Sequence, residues 1–184
     1  MGTLTFVLGG ARSGKSLHAQ KLAQESGKSV TFIATAQALD EDMSARIKKH
    51  QQDRPVDWVT REIQKDIAKN LEVDPITTDV ILFDCITLLV NNLFMQYVTE
   101  DHVDEARALG AMQQEIESLL VHIHESQQDW IVISNEVGQG IVPAYQMGRV
   151  YRDILGWANQ RIAREADQVL WMVAGIPVPI QNFR

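Results

Sequence analysis

The run Gly9-Gly10-Ala11-Arg12-Ser13-Gly14-Lys15-Ser16 fits G-x-x-x-x-G-K-[ST], the spacing of a loop that cradles phosphate. Glycines there let the backbone curl until successive amide N–H groups converge on phosphate oxygens, and the N-terminal end of a following helix adds partial positive charge. In such a loop Lys15 reaches the β and γ phosphates and the Ser16 hydroxyl coordinates Mg2+. The bland alternative is a glycine-rich turn between a strand and a helix, in which a Lys-Ser pair has no purpose. Context decides for phosphate, because the run lies directly after apolar "LTFVLGG" and directly before amphipathic "KSLHAQKLAQESG".

Two further sites of possible chemistry end apolar runs. Asp84 follows "VILF", where an acid serves as a metal-water ligand or nucleotide contact, or as the cap of the next helix, and the two roles are compatible. Asn135 and Glu136 end "IVIS"; carboxyl ends of parallel strands rim the ligand crevice of open α/β sheets, so this pair either faces substrate or a metal-bound water, or forms a turn. A third group lies in "SARIKKHQQDRP", where Arg46, His50 and Arg54 fall four residues apart. At about 100° per residue they share one slowly drifting helix face. Two cations beside an imidazole disfavour its protonation and leave a lone pair free for attack, and with Lys48 and Lys49 they could clamp a triphosphate. On spacing alone the same run reads first as a solvated face, its arginines paired to Asp42, Asp53 or Asp57.

Positioning these groups requires elements, and short apolar runs alternate with longer amphipathic ones, the rhythm of a mostly parallel sheet with helical crossovers. Strands are expected at "LTFVLGG", "SVTFIAT", "DVILFDCI" and "DWIVISNEVG", with a short extended piece at "DWVTREI" and one or two more strands in "QVLWMVAGIPVPI". Pro177 and Pro179 demote the tail of the last run to an edge or hairpin. Helices are expected at "KSLHAQKLAQESG", closed by Gly27, at "DEDMSARIKKHQQD", stopped by Pro55, and at "QKDIAKNL", "TLLVNNLFMQYV", "VDEARALGAMQQEIESLLVHIHESQQ" and "MGRVYRDILGWANQRIAREAD". The longest carries Ile116, Leu119, Leu120 and Ile123 on one face, and the last carries Met147, Val150, Tyr151, Ile154, Leu155, Ala158 and Ile162.

The chain has 184 residues, 45% of them hydrophobic, which suits one domain spanning 1–184. Its formal charge of −7 opposes non-specific binding to nucleic acid or an anionic membrane, so any anionic ligand must be held by local positive groups. The single cysteine, Cys85, sits in an apolar run and reads as a buried thiol. There is no signal-peptide pattern and no membrane-length apolar run, so a cytoplasmic protein is expected. His18, His102, His122 and His124 show no metal-ligand spacing. The guanine-reading tetrapeptide Asn-Lys-x-Asp of regulatory GTPases is missing, which leaves a small-molecule kinase or nucleotidyl transferase.

Taken in order, "GGARSGKS", "FIATAQALDEDMSARI" leading to "HQQDRPVDW", "DCITLLVNNL", "SNEVGQGIVP" and "GWANQRIAREADQV" resemble the bifunctional adenosylcobinamide kinase/adenosylcobinamide-phosphate guanylyltransferase family of cobalamin biosynthesis over nearly the whole chain. The resemblance implies a RecA-like P-loop α/β fold, a homotrimer, a corrinoid substrate, and ATP, GTP and Mg2+ as co-reactants. It implies phosphorylation of adenosylcobinamide by a nucleoside triphosphate, with Lys15 in the loop, and then GMP transfer from GTP through a guanylylated histidine. That histidine falls on His50. By the same positional match, nucleotide contacts are implied for Gly9, Gly10, Ala11, Arg12, Ser13, Gly14, Lys15 and Ser16, for Ala34, Thr35 and Ala36, for Gln51, Gln52, Asp53 and Arg54, and for Glu62 and Asp84; Ser16 and Asp84 are the implied metal contacts. Asp84 stands where the family pattern has a glutamate, and Lys48-Lys49 stands where some relatives carry a second histidine. Other readings are a P-loop kinase for a different metabolite and a non-enzymatic nucleotide-sensing module.

Overall fold

The structure, a computed structural model, describes residues 2–37, 54–100 and 102–180. Seven strands form one sheet: β1 (Leu4–Gly9), β2 (Val30–Ala34), β3 (Val59–Glu62), β4 (Val80–Asp84), β5 (Asp129–Asn135), β6 (Gln168–Val173) and β7 (Ile176–Ile180). Among the described residues the helices are α1 (Lys15–Glu25), α2 (Ile67–Val73), α3 (Ile86–Phe94), which runs on into a 3-10 turn at Met95–Tyr97, α4 (Glu105–Glu125) and α5 (Gln146–Glu165). The strand order is β3-β2-β4-β5-β1-β6-β7. Every neighbouring pair is parallel except β6–β7. This is the expected mostly parallel α/β sheet, and β5 stands between the strand that feeds the glycine loop and the strand that ends in Asp84. The expected helix at residues 40–53, with His50, lies outside the described residues.

The central strands read as unbroken apolar runs because both sheet faces are covered. On one face Phe6, Phe83, Trp130 and Val132 pack against Ile86 and Leu89 of α3, Met112 and Ile116 of α4, and Ile154 and Leu155 of α5. On the other, Val7, Phe32, Leu82, Ile131 and Ile133 pack against Ala19 and Ala23 of α1. The predicted stripe of α4 is buried throughout. That of α5 is buried from Val150 to Ile162, while Tyr151 is half-buried and Met147, in the first turn, is exposed. Met147 instead borders an open groove of about 230 Å³ with Asn91, Phe94, Met95, Gly148 and Tyr151.

Polar groups fix the ends of elements. The Glu115 carboxylate, inside the apolar face of α4, accepts the backbone N–H groups of Asp66 (3.1 Å) and Ile67 (2.8 Å) and so caps α2 from another helix. At the end of the sheet where β5 begins, Asp129 accepts the Thr3 N–H (3.0 Å) and hydroxyl (2.8 Å) and the Lys28 ammonium (2.6 Å). The strand expected at 79–86 stops at Asp84, and Ile86 opens α3. Cys85 is extended and its carbonyl accepts the Leu89 N–H, the first helical bond. In "VILFDCITLLV" apolar residues lie on both sides of Asp84, so periodicity could not mark where the strand stops and the helix starts. The final run is a hairpin, β6–β7, whose second strand is exposed and carries Pro177 and Pro179 at the sheet edge. No helix among the described residues is long and apolar enough to cross a membrane.

Candidate active site

Gly9 ends β1 inside the sheet, and the chain turns through Gly10–Gly14 before α1 begins at Lys15. No side chain caps α1, so its first amides are left for an anion in front of the helix. Gly14 has φ +94°, and a Cβ there would lie 3.1 Å from the Cα of Gly175. A Cβ on Gly9 would lie 2.6 Å from the Met172 carbonyl oxygen. Gly175 in turn donates its N–H to the Ser13 carbonyl (2.9 Å). The β6–β7 turn therefore braces the loop from outside, a contribution that the loop motif alone does not reveal.

Lys15 is buried, with Nζ 2.6 Å from the Gly10 carbonyl and 3.5 Å from the Ser13 hydroxyl. Burial pushes its pKa down, and the Asp84 carboxylate opposes the shift. Arg54 lies across the Phe32 ring, its guanidinium carbon 3.5 Å from the centroid. Its Nη1 reaches the Thr60 hydroxyl at 3.4 Å, while Nε is shielded from solvent and has no partner among the described residues. Burial lowers the Arg54 pKa too, with Asp84 and then Glu62 pulling it back up. Asp84 thus acts on two cations far apart in sequence, and Glu62 ends β3, the edge strand beside β2.

Of the other residues implied as contacts, Thr35 is fully buried and engaged internally. Its N–H donates to the Asp84 carbonyl (3.0 Å), its hydroxyl bridges the N–H and carbonyl of Cys85 (2.8 Å each), and its carbonyl accepts from the Asn92 amide (2.8 Å). Thr35 locks the end of β2 to the β4–α3 junction. Ala34 is buried, and its carbonyl accepts the Ile63 N–H, whereas Ala36 is half-buried. Arg12 holds φ +56° on the exposed outer turn of the loop. Gln51, Gln52 and Asp53, like His50, lie outside the described residues. Cys85 is buried as expected, and desolvation with the adjacent Asp84 pushes its thiol up to about 12, which keeps it protonated and inert.

Of the pair Asn135 and Glu136, Glu136 takes up the turn-forming role. The Glu136 N–H donates to the Gly9 carbonyl (3.0 Å), joining β5 to the loop, and its carboxylate accepts the Gly138 N–H in a turn. Beneath them lies a polar network that sequence reasoning missed. Ser134 donates to Asn159 Oδ1 (2.6 Å), Asn159 Nδ2 donates to the Asn135 carbonyl (3.0 Å), the Asn135 N–H donates to the Thr87 hydroxyl (2.8 Å), and Tyr151 donates to the Thr87 carbonyl (3.0 Å). Asn159 was visible as a polar residue beside the apolar stripe of α5, but both of its partners, Ser134 and Asn135, come from β5. Among the described residues, no group of three His, Cys, Asp or Glu side chains is placed to hold a metal.

A glycine loop after an interior strand, a buried lysine inside it, and an acid on the next strand but one define a P-loop nucleotide-binding α/β protein. Residues 5–180 match the model of the cobinamide kinase / cobinamide phosphate guanyltransferase family, CobU, and the chain belongs to that family. It is 39% identical over 181 residues to the bifunctional adenosylcobalamin biosynthesis protein CobU of Escherichia coli K12, covering 97% of this chain and 99% of the relative. The CobU protein of Salmonella typhimurium LT2 matches at the same identity and coverage. The CobP protein of Pseudomonas aeruginosa PAO1 is 40% identical over 177 residues, 96% of each chain. In three dimensions, a RadB recombinase superposes over 92% of this chain and 73% of its own, at 13% identity and a TM-score of 0.48.

Proposed function

We propose that this chain carries out two successive transfers on a corrinoid. A nucleoside triphosphate first phosphorylates the hydroxyl of the aminopropanol arm of adenosylcobinamide. His50 then attacks the α-phosphate of GTP, a P–N bond forms as the P–O bond to pyrophosphate breaks, and the corrinoid phosphate displaces the imidazole to give adenosylcobinamide-GDP. The observation that carries this reading is the glycine loop with its buried Lys15 at an uncapped helix start, in a chain that matches the family from residue 5 to residue 180.

Each residue has a role in it. Amides of Gly10 to Ser16 grip the phosphate tail, and Lys15 exchanges its bond to Gly10 for one to the β and γ phosphates. Arg54, stacked on Phe32 with its Nε unpartnered among the described residues, holds a phosphate or the base, and Gln51, Gln52, Asp53 and Glu62 complete the guanine-nucleotide site. Mg2+ fits Ser16 and Asp84, because it binds through one or two protein oxygens with phosphates and waters supplying the rest, so a cluster of acids is not required. When bound it neutralises charge on the phosphates; the protein's own part is to place the hydroxyl and carboxylate. The protein forms one domain, is cytoplasmic, and assembles as a homotrimer; exposed Ile141, Val142 and Tyr145 supply apolar surface consistent with such contacts.

Incubation with GTP labelled at the α-phosphate tests the second transfer. The wild type should acquire acid-labile, alkali-stable label and His50→Ala none. Equal labelling of the two proteins, or none of the wild type, leaves at most a P-loop kinase for another metabolite. Nucleotide-dependent association without any turnover would instead mark a sensing module. Light scattering should give three times the mass of the chain.

A further inference from the structure

The C-terminal end of β5 lies between the phosphate loop and Asp84, since β5 separates β1 from β4 in the sheet. In register, Asn135 is level with Gly9, and Ile133 with Asp84. Strand side chains alternate between faces. Ile133 packs on the α1 face, and Ser134 turns to the opposite face, where it meets Asn159. Asn135 therefore returns to the α1 face, the one that carries the loop. Asp84 lies on that face as well, two residues after Leu82, which packs there.

The backbone of Asn135 is held at every polar group. Its N–H is taken by Thr87 of α3, its carbonyl by Asn159 of α5, and the next N–H, that of Glu136, by Gly9. Thr87, Ser134 and Asn159 are themselves buried, and each was desolvated to make this arrangement. The side chain so fixed is half-buried, and among the described residues no partner engages its carboxamide. A donor carried on a backbone fixed by its surroundings, and without an acceptor among the described residues, is suited to charge that appears only during a reaction. Its neutrality matters, because a carboxylate at this position would repel phosphate.

We infer that the carboxamide of Asn135 is a catalytic group of the kinase step, its N–H donating to a non-bridging oxygen of the γ-phosphoryl group as that group passes to the acceptor. The position favours the γ over the α phosphate, because Asn135 stands between the loop that grips the β and γ phosphates and the acid opposite. The inference rests on the two-transfer reading above, and the two reactions supply its control, since attack at the α-phosphate by His50 makes no use of this donor.

The test compares wild type, Asn135→Ala and Asn135→Ser in both half-reactions. Phosphoryl transfer by Asn135→Ala should fall about 100-fold in kcat, with KM for the nucleotide within about threefold and labelling by α-labelled GTP also within about threefold. Asn135→Ser, with a shorter donor, should recover part of the loss. An unchanged kcat overturns the inference. So does a parallel loss of both reactions with a lowered unfolding temperature, which would mark a purely structural residue. A wild type that forms GMP-enzyme but transfers no phosphoryl group removes the kinase half of the broader reading, and the inference with it.

Discussion

The Lys15 ammonium donates to the Gly10 carbonyl at 2.6 Å, so the cation meant for phosphate is folded back into its own loop. Burial lowers its pKa, which means that the folded protein without nucleotide disfavours this charge. Lys15→Met should therefore unfold at the same temperature as the wild type or higher when no nucleotide is present. With nucleotide, the wild type should gain stability and the variant little, and phosphoryl transfer should drop about 100-fold or more for loss of a charge-assisted phosphate contact. Thermal unfolding with and without GTP, beside a kinase assay, checks both halves; full activity in the variant would remove Lys15 from the site.

Arg54 makes a second, separable contribution. Its guanidinium stacks on Phe32 and leaves Nε without a partner among the described residues, an arrangement that depends on a planar, forked cation. Arg54→Ala should weaken GTP binding about tenfold, or about 1.4 kcal/mol, and Arg54→Lys should recover little, because an ammonium cannot both stack flat and present a fork. Calorimetric titration gives the two Kd values. Full recovery by lysine would show that only the charge matters.

How far the sequence disclosed these arrangements follows from the range of the interactions. The loop was legible because strand, glycines, Lys15, Ser16 and helix are contiguous, and the β6–β7 hairpin because Pro177 and Pro179 act on their own backbone. The bracing of Gly14 by Gly175 and the network of Thr87, Ser134 and Asn159 were hidden, since each joins elements that only the folded sheet brings together. The α3 boundary was blurred for a different reason: a buried strand and a buried helix start are both simply apolar. Glu115 did leave a trace. It falls at helical spacing between Met112 and Leu119 on the buried face of α4, and an acid there needs a partner.

That partner is the start of α2, and it yields a stability prediction. Glu115→Ala leaves the N–H groups of Asp66 and Ile67 without their acceptor in a buried setting, which should destabilise the fold by about 1–3 kcal/mol. Glu115→Gln keeps one carbonyl oxygen and should lose about half as much. Urea midpoints at unchanged slope measure both, and an alanine variant as stable as the wild type would mean that water replaces the cap at no expense.

Asp129, remote from the phosphate loop, should govern acid stability instead of catalysis. The hydrogen bond from Lys28, opposed by partial burial and reinforced by Thr3, lowers its pKa from 3.8 to about 2. A carboxylate depressed on folding adds stability that is complete above its unfolded pKa and is lost as pH falls through the folded value. Asp129→Asn should thus be less stable than the wild type at neutral pH, and the gap should close between about pH 4 and pH 2. Asp79 is lowered in the same direction by Ser29 and interacts with both Lys28 and Asp129, so the gap reports the cluster that Asp129 anchors. Denaturant titrations at a series of pH values measure that gap. A gap that stays constant through the window would assign the effect of Asp129 to packing alone, and a fall in phosphoryl transfer at neutral pH would show that this end of the sheet communicates with the loop.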